Sequence, residues 1–149
     1  MSDSWLKFVP TDPTARPSSA SADQAVQLLE SFAPEADSVS ARFTEKIEFV
    51  DPGGNWSGVA CAKCGADVEL WWRDAMDRAH SKSFDDLRVI TPCCGEATSL
   101  NELRYVAPAG FARFVIESLN PNINDLTEQQ QTELANCLRL PLRKIWVRL

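Results

Sequence analysis

What this chain has little of narrows its chemistry first. Of 149 residues only one is histidine, His80. That excludes the multi-histidine metal centres and leaves any metal site at most one histidine ligand. No apolar run approaches the roughly 20 residues a bilayer span needs, so no membrane partner is expected. The opening "MSDSWLKFVP" lacks a basic stretch followed by an apolar one, so it does not read as a secretory signal, and a cytoplasmic location is expected. Cations are in deficit, 15 against 21 acidic side chains, for a net charge of −6. Non-specific nucleic-acid binding needs a basic face, so no nucleic-acid partner is expected. There is no phosphate-binding glycine loop, no dinucleotide fingerprint, no H-E-x-x-H and no serine nucleophile elbow. No residue stands out as catalytic.

What is present is organised by hydrophobic period. "WLKFVP" (5–10) reads as a strand, and the proline- and serine-rich "TDPTARPSSAS" after it as a loop. Ser21 and Gln24 form a capping-box pattern ahead of an apolar stripe at Ala25, Leu28, Leu29 and Phe32, with Pro34 ending the helix. In "VSARFTEKIEF" (39–49) apolar and polar residues alternate with one exception, which predicts a strand with one buried face, closed by the turn "DPGGN". "GFARFVIESLNP" (110–121) reads as another strand. Thr127 and Gln130 make a second capping box before a helix that buries Leu134, Cys137 and Leu138. "RKIWVRL" alternates again, Ile145 and Val147 on one face and Lys144, Trp146 and Arg148 on the other.

Strand–helix–strand thus occurs at each end of the chain. The expected fold class is α+β: a ferredoxin-like split βαβ sandwich. Residues 1–55 and 106–149 would form the parent domain, and 56–105 an inserted subdomain.

The insertion carries the chemistry. "CAKCG" (61–65) places two thiols on one tight turn, and "TPCCG" (91–95) places two side by side. Between them Val68, Trp71, Trp72, Ala75, Met76 and Ala79 form an amphipathic helical stripe, with Asp67 placed to cap it, and "DLRVIT" leads as a strand into the second pair. Five cysteines in a chain without a signal point to metal or buried thiols rather than disulfides. Thiolates in two glycine-ended pairs suit Zn2+ held structurally by Cys61, Cys64, Cys93 and Cys94. Because Cys93 and Cys94 adjoin, three readings stay open. Both ligate; or Cys94 ligates and His80 supplies the fourth donor; or the pair is a strained vicinal disulfide.

This pattern resembles the zinc-ribbon family, with "CAKCG" a full first knuckle and "PCCG" a contracted second one. The standard form would put a cysteine at Thr91. The chain as a whole resembles a group of small bacterial proteins of no established activity. The resemblance is carried by "FVPTD", "CAKCG", "WW", "TPCCG", "SLNELRY" and "GFARF". It implies one integrated bacterial domain with an inserted zinc ribbon, and no mechanism.

Four thiolates would close the ion to substrate, so the expected function is non-enzymatic. The chain reads as a zinc-stabilised protein–protein interaction module, of the kind an immunity or inhibitor protein masking a toxin would be. A transcription-machinery adaptor is a variant of that reading, and a zinc- or thiol-dependent enzyme is its alternative. For the partner surface, the cations and tryptophan of the last strand (Lys144, Trp146, Arg148) are candidates, sharing a free sheet face with Arg42 and Lys46. The segment 61–95 holds five cations against six acids, which disfavours phosphate there.

Overall fold

A computed structural model describes residues 3–149. Four strands form one antiparallel sheet: β1 (Ser4–Pro10), β2 (Ser38–Val50), β7 (Gly110–Leu119) and β8 (Leu142–Arg148), in the spatial order β2-β7-β1-β8. Helices α1 (Ser19–Phe32) and α3 (Glu128–Leu138) connect β1 to β2 and β7 to β8. The intervening segment holds strands β3 (Val59–Ala60) to β6 (Arg104–Tyr105) and helix α2 (Glu69–His80). No helix among the described residues is long and apolar enough to cross a membrane.

The two connecting helices start and stop where local chemistry dictates. At α3 the Thr127 hydroxyl accepts from Gln130 N at 3.1 Å while Gln130 Oε1 accepts from Thr127 N at 2.9 Å, the reciprocal box expected from sequence. Arg139 then leaves the helix in a left-handed conformation. At α1 the cap is Ser18, accepting from Ser21 N, so the helix begins earlier than the Ser21–Gln24 pattern implied. Both helices lie on one sheet face. Ala25 and Leu29 of α1 and Leu134 and Leu138 of α3 bury against Leu6, Phe8, Phe114 and Ile116. Each fully buried leucine or phenylalanine there contributes about 1.5–3 kcal/mol.

The free sheet face expected from the sequence is absent: the face away from the helices is covered too, and Trp146 lies on the helix side. In β2, Phe43 pairs with Phe114, but the next pair is Glu48 with Ala112, so residues 44–47 stand opposite Arg113 alone. A bulge of that size bends a ribbon sharply. Beyond it, Val50 and Ala112 join Val9, Val115, Ile145 and Val147 in one buried cluster. The far end of the β2–β7 hairpin therefore folds over the sheet it belongs to. The chain after β2 reaches the outer edge of β8, where Gly53 bridges to Arg148 and Asn55 Nδ2 donates to Trp146 O at 3.1 Å. Gly53 has φ +60°, and a Cβ there would lie 2.4 Å from Arg148 O. Only glycine fits that approach.

The intervening segment packs on this bent end of β2 and β7. Val59, Val68, Ala75, Leu100 and Tyr105 share a core with Ile47 and Phe111. Trp72 stacks on Trp56 at 4.8 Å and donates to the Tyr105 hydroxyl at 3.1 Å, which in turn donates to Leu100 O at 2.8 Å. Burial holds the Tyr105 phenol well above its ordinary pKa, so it stays a donor. Asn101, 1% exposed, ties the segment to one end of the sheet, where β1 ends and β7 and β8 begin. Its Nδ2 donates to Thr11 O at 2.9 Å, and its Oδ1 accepts from Phe111 N at 3.0 Å and from Arg143 at 3.1 Å.

Candidate metal centre

Two short strands deliver two matching turns. β3 pairs antiparallel with β6, and β4 (Arg88–Ile90) with β5 (Ala97–Ser99). The first turn closes with Cys61 N donating to Ala66 O and Gly65 N to Cys61 O, both at 2.9 Å. The second closes with Thr91 N donating to Glu96 O and Gly95 N to Thr91 O, both at 3.0 Å. Gly65 and Gly95 have φ values of +78° and +68°, the left-handed conformation that lets each turn reverse.

Superposing the two bonding patterns puts Thr91 in the place of Cys61, Cys94 in that of Cys64, and Cys93 in that of Lys63. Like Cys61, Thr91 is buried, at 1% exposure. Its Oγ1 accepts from Glu96 N at 3.1 Å and lies 3.5 Å from Cys94 Sγ. The thiol missing from the first position of the second turn is supplied from its crown, by Cys93. Both cysteines of the adjacent pair therefore point into one site.

The four Sγ atoms lie within 4.8 Å of one another. Cys61 and Cys94 are 3.7 Å apart, Cys64 and Cys93 3.3 Å, and Cys93 and Cys94 3.9 Å. A tetrahedral ion with metal–sulfur bonds of about 2.3 Å needs sulfurs about 3.8 Å apart. All four are free thiols, with no vicinal disulfide. The donor set fits one metal ion and supplies every ligand a tetrahedral site takes. Among the described residues no other group of histidine, cysteine or carboxylate side chains converges in this way.

The turns also set the thiol electrostatics. Backbone N–H groups of Cys64 and Lys63 aim at Cys61 and lower its pKa to about 6. Cys93, hydrogen-bonded with Cys64 Sγ and partly desolvated, is pushed up to about 12. Four crowded sulfurs cannot all ionise without a cation among them. Lys63 Nζ bonds Glu96 Oε2 at 3.0 Å, tying one turn to the other outside the site.

No protein-family model, curated protein or solved structure matches this chain. The site is therefore read from its own atoms.

His80 stands outside the cluster. It is exposed at the end of α2, edge-on to the Phe84 ring at 5.5 Å. The helix carrying it buries Ala75 and Ala79 toward the core and ends facing the β2 bulge rather than the knuckles. Nor does the structure gather the proposed partner surface. Trp146 pairs with Leu6 and packs, half-buried, beneath the helices. Lys144, near it, is engaged by Asp125, and Arg148 lies at the β8 edge bridged by Gly53. Arg42 is on the opposite edge strand, bonded to Glu48 at 2.6 Å, and Lys46 lies in the bulge, 3.3 Å from Ser83 Oγ.

From the sequence Thr91 stood out only as the position that lacks the standard cysteine, and Glu96 did not stand out at all. Aligning "CAKCGA" with "TPCCGE" on their glycines sets Glu96 opposite Ala66.

Proposed function

We propose that the chain is a zinc-stabilised, non-enzymatic protein–protein interaction module. The observation that carries this reading is the closed donor set: four thiols at tetrahedral spacing leave no position for water or substrate. All-sulfur ligation favours zinc among the divalent ions of the cell. The order β2-β7-β1-β8, with helices in the β1-to-β2 and β7-to-β8 connections, supports a ferredoxin-like split βαβ sandwich. Residues 56–105 then form a zinc-ribbon-like subdomain inserted between its halves, and the paired turns support that division.

A metal placed to hold two turns together gives the insertion a rigid surface, and rigid surfaces suit recognition. Within this class an immunity or inhibitor protein of a bacterial cytoplasm is the preferred role and a transcription adaptor the second. The net charge of −6 favours a protein partner over nucleic acid.

Tagged full-length protein, recovered from its native cells with its metal, tests the reading. We expect one zinc per chain and a stoichiometric protein partner. Zinc that exchanges a bound water, or a preparation with metal and no partner that turns over a substrate, would contradict it.

A further inference from the structure

Helix α2 and strand β4 flank a groove of about 350 Å³. Its floor is apolar, with Ala75, Ala79 and Leu100 buried and Trp71 and Val89 half-buried on the same core. Its rim is basic, with Arg78 and Lys82 from α2 and Arg88 from β4. Asp86 grips Arg88 through both carboxylate oxygens, at 2.9 and 3.0 Å. Among the described residues, Arg78 and Lys82 enter no ion pair. A chain with an excess of acid thus presents Arg78 and Lys82 outside any ion pair beside an apolar trough, with Asp86 near enough to Lys82 to feel its charge.

The backbone along this groove is also unfinished. β4 has a neighbour, β5, on one edge only, and no β5 residue lines the groove. Leu100 N donates to Leu87 O and Thr91 N to Glu96 O, which fixes the phase of the ladder. Val89 and Thr98 form the bonded pair between them, so Arg88 and Ile90 turn their backbone groups away from β5. Asp86 Oδ1 accepts from Arg88 N. Ile90 N–H, Ile90 C=O and Arg88 C=O remain on the outer edge. Ile90 itself is 67% exposed. An open strand edge is a template for another strand.

We propose that the groove between α2 and β4 receives an extended acidic segment of a partner protein, added as a strand to the edge of β4. This rests on the interaction-module reading and gives it a surface and a partner chemistry. Alternate residues of the incoming strand face opposite ways. The small floor selects short apolar side chains inward, and Arg78 and Lys82 select carboxylates at the rim. Main-chain bonds to Ile90 and Arg88 provide affinity, and the side-chain alternation provides specificity.

The test uses the full-length, zinc-loaded, 15N-labelled protein and an acetylated, amidated peptide of alternating glutamate and valine. Saturable shifts are expected at the amides of Arg88, Val89, Ile90 and Lys82. The lysine–valine counterpart should not bind. Arg78→Glu with Lys82→Glu, both exposed and remote from the thiols, should weaken binding about tenfold or more while leaving the remaining spectrum unchanged. A single central N-methyl group on the peptide should weaken it about tenfold, by removing one main-chain bond and its geometry.

No response at millimolar peptide, equal binding of the basic or N-methylated peptide, or displacement by a single-stranded oligonucleotide would each overturn the proposal. Binding of the acidic peptide at another face would overturn the groove while leaving the interaction-module reading intact. That reading fails separately, if zinc keeps an exchangeable water.

Discussion

Thr91 stands in the second metal turn where Cys61 stands in the first, with the same two backbone hydrogen bonds around it. The thiol it lacks comes from Cys93. The site is therefore a displaced version of a symmetric one, and the displacement can be reversed. Cys93→Ser should weaken zinc binding by at least about 100-fold, more than the loss of an outer-sphere partner costs. Adding Thr91→Cys to that variant should recover most of the affinity. Competition against a chromophoric chelator reads both. A double variant as weak as the single one would refute the equivalence of Thr91 and Cys61.

Zinc removal should loosen the protein unevenly. The thiols clamp only the tips of β3 and β4, whereas the cluster of Leu6, Phe8, Phe114, Ile116, Leu29 and Leu134 contains no residue of the insertion. Hydrogen exchange after chelation should rise first across 59–67 and 88–99 and stay slow in β1 and β7. Simultaneous loss of protection in β1 would contradict this separation.

Two of the metal-free thiols, Cys61 and Cys93, should titrate far apart. Cys61, lowered from 9.0 to about 6 by backbone N–H groups, ionises first. Because its folded pKa is depressed, its contribution to stability is full above pH 9 and is lost as the pH falls through about 6. Cys93 moves the opposite way, to about 12, so its contribution is full below pH 9 and is lost as the pH rises through about 12. Thiolate absorbance of the reduced apoprotein should show a step near pH 6 that Cys61→Ser removes. Persistence of that step in the variant would assign it elsewhere.

How much of this was legible in the sequence varied with the range of the force involved. Period two gave β2 and β8, period 3.6 gave the helices, and Thr127 with Gln130 fixed the start of α3, because those signals act over a few residues. Trp146 was read correctly as opposite to Ile145 and Val147, yet which side was covered depended on a bend elsewhere. That bend comes from the bulge at 44–47, where Glu45, the one exception in the alternation, sits. A single polar exception does not reveal that a ribbon will fold over its own sheet. The cysteine pairs were legible because turn chemistry is local. The exclusion of His80 was not, because the direction in which α2 ends is set by packing against Ile47 and Phe111.

Asn101 is the polar joint between the insertion and the sheet. Asn101→Ala would strand Phe111 N–H and Thr11 C=O and remove one of Arg143's contacts, the bond to Asn101 Oδ1. The expected loss is about 3 kcal/mol. For a chain of this length that lowers Tm by about 6–12 °C. A calorimetric shift below about 2 °C would show that the network is not holding the halves together.

Gly53→Ala should cost about 1–3 kcal/mol, since the new Cβ meets Arg148 O and the backbone is held at φ +60°. Urea titration should show the lower midpoint with an unchanged slope. A midpoint equal to that of the parent protein would mean the crossing to β8 is not fixed at this residue.

The most direct test is X-ray absorption at the zinc edge on the metal-loaded, full-length protein. A single shell of four sulfurs at about 2.3 Å, with no nitrogen or oxygen, is expected. A shell of three sulfurs with one lighter atom would mean that Cys93 or Cys94 is a spectator, that the site is open to water or histidine, and that the closed-site reading is wrong.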